Sequence, residues 1–307
     1  MNLFIIITKK IIFIISIFPL ILIEIYRYHK LKQIKVCICT IGKQENRYIK
    51  EYIEYYKNYG IDKIFLYDNN NLNDEDFENI LEKYKNVDFV EIKNFRGIKS
   101  PQMKMYHDCY NNNYEKYEWL IFNDIDEYLY LKSYNNIKDF LNKRKFKNCE
   151  NIQLNWLLYT DNNLIYYQNK PVNIRFKEKD PFLKKRKISK FSNGKSILRG
   201  HIPNINITNF HCISKDLKTC DGFGILRNFL KPNYKYYYFK HYYCKSTEEF
   251  IEKLKKGDVY KMKNINKINF YFSYNKITNE KLNYIENQTG ENLTYLKFKF
   301  YLSKKIK

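Results

Sequence analysis

The sequence predicts an α/β fold: a sheet of nucleotide-binding type flanked by helices, behind an N-terminal hydrophobic anchor helix. Three observations lead there. Apolar, strand-length runs alternate with amphipathic, helix-length stretches between residues 34 and 122. An acidic knot, Asp124, Asp126 and Glu127, interrupts the apolar run "WLIFNDIDEYLYL". The chain also begins with a long, nearly unbroken apolar segment.

That segment, "LFIIITKKIIFIISIFPLILIEIY", runs from Leu3 to Tyr26 and is broken only by Lys9-Lys10. It is apolar on every face, which suits lipid better than a one-sided core. No small-residue cleavage site follows, so a retained anchor is expected rather than a removable signal peptide. Arg27, Lys30, Lys32 and Lys35 outnumber Lys9 and Lys10. By the positive-inside rule this places the rest of the chain on the cytoplasmic side, whereas a Golgi-type enzyme requires the reverse. The expectation is a single-pass membrane protein; a Golgi or ER membrane and a bacterial inner membrane both stay open.

Ile34 to Thr40 reads as a buried, β-branched strand. Arg47 to Tyr59 has helical spacing, with Ile49, Ile53 and Tyr56 on one side, and Gly60 stands where a helix-ending glycine belongs. A second strand follows over Lys63–Tyr67, a helix over Asp74–Tyr84, a third strand over Val87–Ile92, a helix over Gln102–Asn111 and a fourth strand over Trp119–Phe122. Such alternation is the pattern of a doubly wound parallel sheet, where ligands bind beyond the carboxyl ends of strands. Asp68 lies at one such end, Asp124 and Asp126 at another. Further on, Thr247–Lys256 reads as an ordinary amphipathic helix with Phe250 and Leu254 on one face and lysines on the other.

Charge is less informative. Lys+Arg 55 against Asp+Glu 33 leaves +22, but the basic residues are dispersed and form no arginine-rich block, so no nucleic-acid partner is expected. Seven cysteines, an odd number with no CxxC pair, indicate neither a zinc site nor a complete disulfide framework. Cys37 and Cys39 read as small buried strand residues.

The acidic knot carries the chemistry. Carboxylates gathered at a strand end repel and raise one another's pKa, and a divalent cation removes that penalty. Asp-x-Asp puts two side chains on one side of an extended segment, and oxygen ligands suit Mn²⁺ or Mg²⁺ shared with substrate phosphates.

The segments "VCICTIGKQENRYIKEYIEYYKNYGIDKIFLYDNN", "QMKMYHDCY" and "WLIFNDIDEYLYL", continued by "NWLLYTDNN", "KSILRG", "NFHCI", "CDGFG" and "HYYCKSTEEF", resemble glycosyltransferase family 92 and its family-2-like relatives over about residues 34 to 260. The resemblance implies a GT-A, Rossmann-like mixed sheet, a Mn²⁺ or Mg²⁺ ion, and transfer of a hexose, galactose among the candidates, from a UDP-type nucleotide sugar to a glycan or other hydroxyl. By position it implies metal ligands among Asp124, Asp126, His211 and His241, and donor contacts at Thr40, Gly42, Glu45, Asp68, Gln102, Asp124, Lys195, Arg199 and Lys245. Asp161 is the first candidate for the base that takes the acceptor proton, Asp221 the second. Where family 92 commonly has a Trp-x-x-Phe-Gly turn, this chain has Trp156-Leu157-Leu158-Tyr159-Thr160-Asp161.

The expected organisation is a membrane anchor and basic linker over 1–32, the GT-A domain over 33–262, and a partly helical tail over 263–307 packed on that domain. Two alternatives stay open: another nucleotide-using transferase such as a nucleotidyltransferase, and a catalytically inactive, membrane-anchored binding protein. The single glycine of "TIGKQEN" counts against the first, and the intact Asp124, Asp126 and His241 against the second.

Overall fold

The computed structural model describes residues 17–26, 34–85, 88–181, 194–208, 216–226, 234–256 and 263–305. A helix α1 covers 17–26. There follow β1 (Val36–Gly42), α2 (Asn46–Asn58), β2 (Lys63–Asp68), α3 (Phe77–Ile80), α4 (Glu82–Lys85), β3 (Val90–Asn94), α5 (Pro101–Asn113), β4 (Trp119–Phe122), β5 (Glu127–Leu131) and α6 (Ile137–Leu141). The second half supplies β6 (Asn151–Leu158), α7 (Val172–Arg175), β7 (Gly194–Arg199), β8 (Thr219–Cys220), β9 (Tyr237–His241), α8 (Thr247–Lys256), α9 (Asn264–Tyr274), α10 (Asn279–Thr289) and α11 (Thr294–Lys305).

The strands form one sheet in the order β3-β2-β1-β4-β7-β6-β9-β5, with β8 paired beside β6. The run from β3 to β4 is parallel throughout, as the alternation predicts. Beyond it the sheet is mixed: β7 runs antiparallel to β4 and β6, and β5 antiparallel to β9. The carboxyl ends of β1, β2 and β4 therefore share one edge, and the acidic knot sits where the parallel half meets the mixed half.

Strand alternation sorts the side chains onto two faces. Val36 and Ile38 point to the core shared with α2, whose Ile49, Tyr52, Ile53 and Tyr56 are buried there. Cys37, Cys39, Phe65 and Phe122 point to the opposite core with Met105, Tyr106 and Cys109 of α5. Gly60 adopts φ +86° just past α2, a left-handed conformation that ends the helix without Cβ strain. The single helix expected over 74–84 is two short ones, α3 and α4. From α8 onward, four helices share a third core around Phe250, Tyr271, Leu282 and Leu296.

One expectation changes. Four cysteines form bridges, Cys39–Cys109 and Cys149–Cys220, with Cα separations of 6.1 and 5.8 Å. Each joins elements far apart in sequence, β1 to α5 and the start of β6 to β8, so residue spacing carries no sign of them. Cys37 and Cys244 are free and buried, while Cys212 lies outside the described residues. The bridges close loops of 70 and 71 residues, and loops of that length stabilise by about 2–4 kcal/mol each. Reductant is therefore expected to lower the thermal midpoint of the chain; an unchanged melt would show that the bridges add nothing.

Most of the expected anchor lies outside the described residues. Residues 1–16 and 27–33 lie outside the described residues, and α1 exposes Phe18, Leu20, Ile21, Leu22, Ile23 and Ile25. Among the described residues no helix is long and apolar enough to cross a membrane.

Candidate active site

The acidic knot is a turn between β4 and β5, closed by the Glu127 amide donating to the Asp124 carbonyl at 3.0 Å. Buried tyrosines of α2 hold its shape. The Asn123 amide donates to the Tyr56 hydroxyl at 3.0 Å and to the Glu127 carbonyl at 2.8 Å, and accepts from Tyr52 at 3.0 Å. Tyr56 in turn donates to the Glu127 carbonyl and accepts from the Leu129 amide. Gly42, at the end of β1, leaves room for the turn: a Cβ there would lie 2.5 Å from Ile125 and 2.8 Å from Phe77.

The turn aims its three carboxylates differently. Asp124 accepts from Lys195 Nζ at 2.8 Å and from the Gln102 side chain at 3.2 Å. Asp126 lies 2.8 Å from Lys253 Nζ and 3.5 Å from His241 Nε2. Glu127 is fully buried; one oxygen accepts from the Asp124 amide at 2.9 Å, and the other has no hydrogen-bond partner. His241 Nδ1 is likewise buried without one, its ring beside Trp156 at a centroid distance of 4.7 Å.

Electrostatics follow from this packing. Burial, reinforced by Asp124 and Asp126, pushes the Glu127 carboxyl well above its usual range despite the opposing pull of Lys195. Burial acts the same way on Asp126, but Lys253 and His241 outweigh it and hold that carboxyl well below the usual range. Burial lowers His241, favouring the neutral imidazole that ligates metals. Burial would lower Lys195 too, but Asp124 and Glu127 overcome it and hold its amine charged.

Asp126, Glu127 and His241 each offer a ligand atom, all within 4.8 Å of one another. Two carboxylates and an imidazole suit Mn²⁺ or Mg²⁺, and the partnerless Glu127 oxygen, which His241 Nε2 faces at 4.0 Å, is what a cation would satisfy. These residues fit a divalent cation.

Beside the trio opens a cleft of about 240 Å³ lined by Glu45, Tyr48, Tyr243, Lys245, Lys253 and Lys256, among others. Lys245 stands 3.5 Å above the Tyr48 ring and 3.8 Å from Glu45, which also pairs with Lys256. Lys245 has φ +48°, and a capping box just after it fixes this geometry. Glu249 accepts from the Ser246 amide and hydroxyl at 3.1 and 2.6 Å, and the Ser246 hydroxyl accepts from the Glu249 amide.

The structure thus gathers Gln102, Asp124, Asp126, Lys195 and His241 at the acidic turn and Glu45 and Lys245 at the adjoining cleft. Thr40, Gly42 and Asp68 stand at the neighbouring strand ends; Thr40 Oγ1 is buried without a partner, and Asp68 is held by Arg96 at 2.8 Å. Four expectations fare differently. The ligand atoms that converge are those of Asp126, Glu127 and His241, with Asp124 turned to Lys195 and Gln102 instead. Arg199 pairs in register with Trp119, at the opposite end of β4 from the acidic turn, and its guanidinium bonds the Phe146 and Cys149 carbonyls and Glu118. Asp161 is buried in contact with Tyr271, Lys281 and the Asn163 amide, so it ties α9 and α10 to the sheet. Asp221 shapes a turn by accepting from the Phe223 and Ile225 amides, beside the start of β6 rather than the end that carries Trp156. His211 lies outside the described residues.

Two residues gathered at the acidic turn were not among the expected site residues. Glu127 was read as part of the motif and given no ligand role, although its place directly after Asp-x-Asp was the available signal. Lys253 was taken for a solvated lysine of an amphipathic helix, and nothing local marks it.

The fold is a mixed α/β sheet flanked by helices with an acidic turn at its centre, and comparison with known proteins places it further. The model of glycosyltransferase family 92 matches residues 32–293, and the chain belongs to that family. A glycosyltransferase family 92 protein of Ricinus communis is 28% identical over 106 residues, 34% of this chain and 19% of that protein. One of Oryza sativa subsp. japonica is 27% identical over 124 residues, 39% of this chain and 21% of that protein. The matched part therefore spans only about a fifth of these relatives' length. Among solved structures, S. aureus TarS 1–349 is 15% identical, covering 78% of this chain and 70% of that one at a TM-score of 0.39. The same protein in complex with UDP gives 12% identity, coverages of 54% and 47%, and a TM-score of 0.34. Superpositions this loose carry no residue of TarS onto this chain.

Proposed function

We propose that this protein is a divalent-cation-dependent glycosyltransferase that moves a hexose from a nucleotide sugar, UDP-linked, to a hydroxyl of a glycan or related acceptor. The observation that carries the reading is the trio Asp126, Glu127 and His241, whose ligand atoms lie within 4.8 Å of one another and whose buried Glu127 oxygen lacks a partner, beside a lysine-lined cleft. Family membership supports the reaction class.

In this reading Asp126, Glu127 and His241 hold Mn²⁺ or Mg²⁺. The bound cation would supply a counter-charge for the departing nucleoside diphosphate. Lys245 adds a positive charge fixed by the Ser246–Glu249 capping box, so it needs little reorganisation as charge develops. Lys195 and Gln102 orient Asp124 at the turn's rim. Thr40, Gly42 and Asp68, at the adjoining strand ends, border the space for the nucleoside. Neither Asp161 nor Asp221 enters this reading as a base, because both are engaged elsewhere.

The exposed apolar face of α1 supports membrane association through the N-terminal segment. The two disulfides favour an oxidising compartment for the domain, opposite to the side favoured by the flanking lysines.

The test is release of nucleoside diphosphate by the full 307-residue chain from a panel of nucleotide sugars, with Mn²⁺, with Mg²⁺ and with chelator. Turnover confined to one donor class and abolished by chelator is expected. Folded protein that neither turns over a donor nor binds any nucleotide in a Mn²⁺-dependent way would reject the reading.

A further inference from the structure

Two lysines neutralise the acidic turn, and they are not alike. Lys195 is 1% exposed, bridges Asp124 and Glu127 at 2.8 and 3.5 Å, and is enclosed by the sheet. Lys253 is 32% exposed and reaches Asp126 from the wall of the cleft. Its ammonium stands 2.8 Å from one Asp126 oxygen and 3.9 Å from the Tyr243 ring centre, while His241 faces the other oxygen. A monovalent cation therefore sits on the carboxylate that any divalent ion in the trio must use, on a flexible four-carbon stem open to the cleft. Lys256, one turn further along α8, and Lys245 line the same cleft, and their visible carboxylate partner is Glu45. Among the described residues Arg47 pairs with Glu252 and Lys245 and Lys256 with Glu45, so Lys253 is the cation of the cleft that loses its ion-pair partner once Asp126 is given to a metal.

We propose that Lys253 is an exchangeable counter-ion. It neutralises Asp126 while no divalent cation is bound, releases that carboxylate when the cation arrives, and turns its ammonium onto the diphosphate of the nucleotide sugar in the same cleft. The proposal rests on the metal-site reading above. An ammonium and a divalent ion repel and do not share Asp126 at close range. A diphosphate gives the displaced ammonium a new, charge-assisted partner. Cation and diphosphate then favour each other's binding, with Lys253 as the element that couples them. Without diphosphate, Lys253 competes with the cation.

The test uses the full chain and two probes, Mn²⁺ alone and inorganic pyrophosphate at saturating Mn²⁺, which assumes nothing about the base or the sugar. In Lys253→Met, Mn²⁺ alone is expected to bind about fivefold tighter, because the competing partly exposed pair is gone. Pyrophosphate is expected to bind about tenfold weaker, because a charge-assisted contact is lost. Lys253→Arg should restore most of the pyrophosphate affinity. Lys253→Gln replaces the methionine variant should that one fail to fold. The opposed directions are the signature, since a lysine with a purely structural role would leave both affinities alone or weaken both together. Unchanged or weaker Mn²⁺ binding in the folded variant, with normal binding in wild type, overturns the exchange alone. Wild type lacking a saturable Mn²⁺ site overturns the metal-site reading as well.

Discussion

Asp126→Asn is expected to lower donor turnover by about a thousandfold or more while leaving the fold intact. A metal site supplies several kcal/mol of stabilisation to the developing charge, and about 4 kcal/mol corresponds to that factor. The substituted side chain keeps its size and sits at the edge of the core, with 10% exposure, so no cavity forms. Chelator gives the sharper check. It should bring wild type down to the rate of the variant and leave the variant's residual rate unchanged, because both remove the same unit. A variant that stays metal-stimulated to the wild-type degree would mean that Asp126 is no ligand.

Glu249→Gln is expected to produce the largest stability loss, about 3–5 kcal/mol by urea unfolding, because it leaves the Arg175 guanidinium buried and uncompensated. Both side chains of this pair are 1% exposed, joined through two hydrogen bonds of 2.6 and 3.0 Å. Burial alone would raise the Glu249 carboxyl. Hydrogen bonds from Arg175, Ser246 and Tyr48 outweigh it and bring the pKa down to about 2. A carboxyl lowered on folding stabilises fully above its unfolded pKa, about 4.3 for a glutamate, and this contribution is lost as pH falls through about 2. Wild type should therefore lose stability steeply from about pH 4 downward, and Glu249→Gln less steeply. Equal acid slopes would dismiss the pair as the source. Because Glu249 also forms the capping box behind Lys245, the variant should bind donor more weakly even where it is folded.

How far the sequence reached can be judged at particular residues. Trp119–Phe122 and Thr247–Lys256 were legible to the residue, one as a short apolar run, the other through its amphipathic period. β1 lies two residues beyond the expected Ile34–Thr40, since apolar composition marks a strand more sharply than its ends. The helix over 74–84 broke in two because periodicity over one short stretch does not reveal where a turn interrupts it. In the site, Asp124 and Asp126 were visible as a pair, but their division of labour was not. Lys195 is 71 positions from Asp124 and Lys253 is 127 from Asp126, and pairings of that range arise from the register of β7 against β4 and the docking of α8. The disulfides and the buried Asp161–Lys281 pair were hidden for the same reason.

The most direct test of the metal centre is anomalous diffraction from crystals of the full chain soaked in Mn²⁺. One strong peak within coordination distance of Asp126 and His241, with Glu127 turned to it and Lys253 withdrawn, is the expected result. A peak elsewhere, with Lys253 still seated on Asp126, would contradict the assignment of this trio as the ion's site.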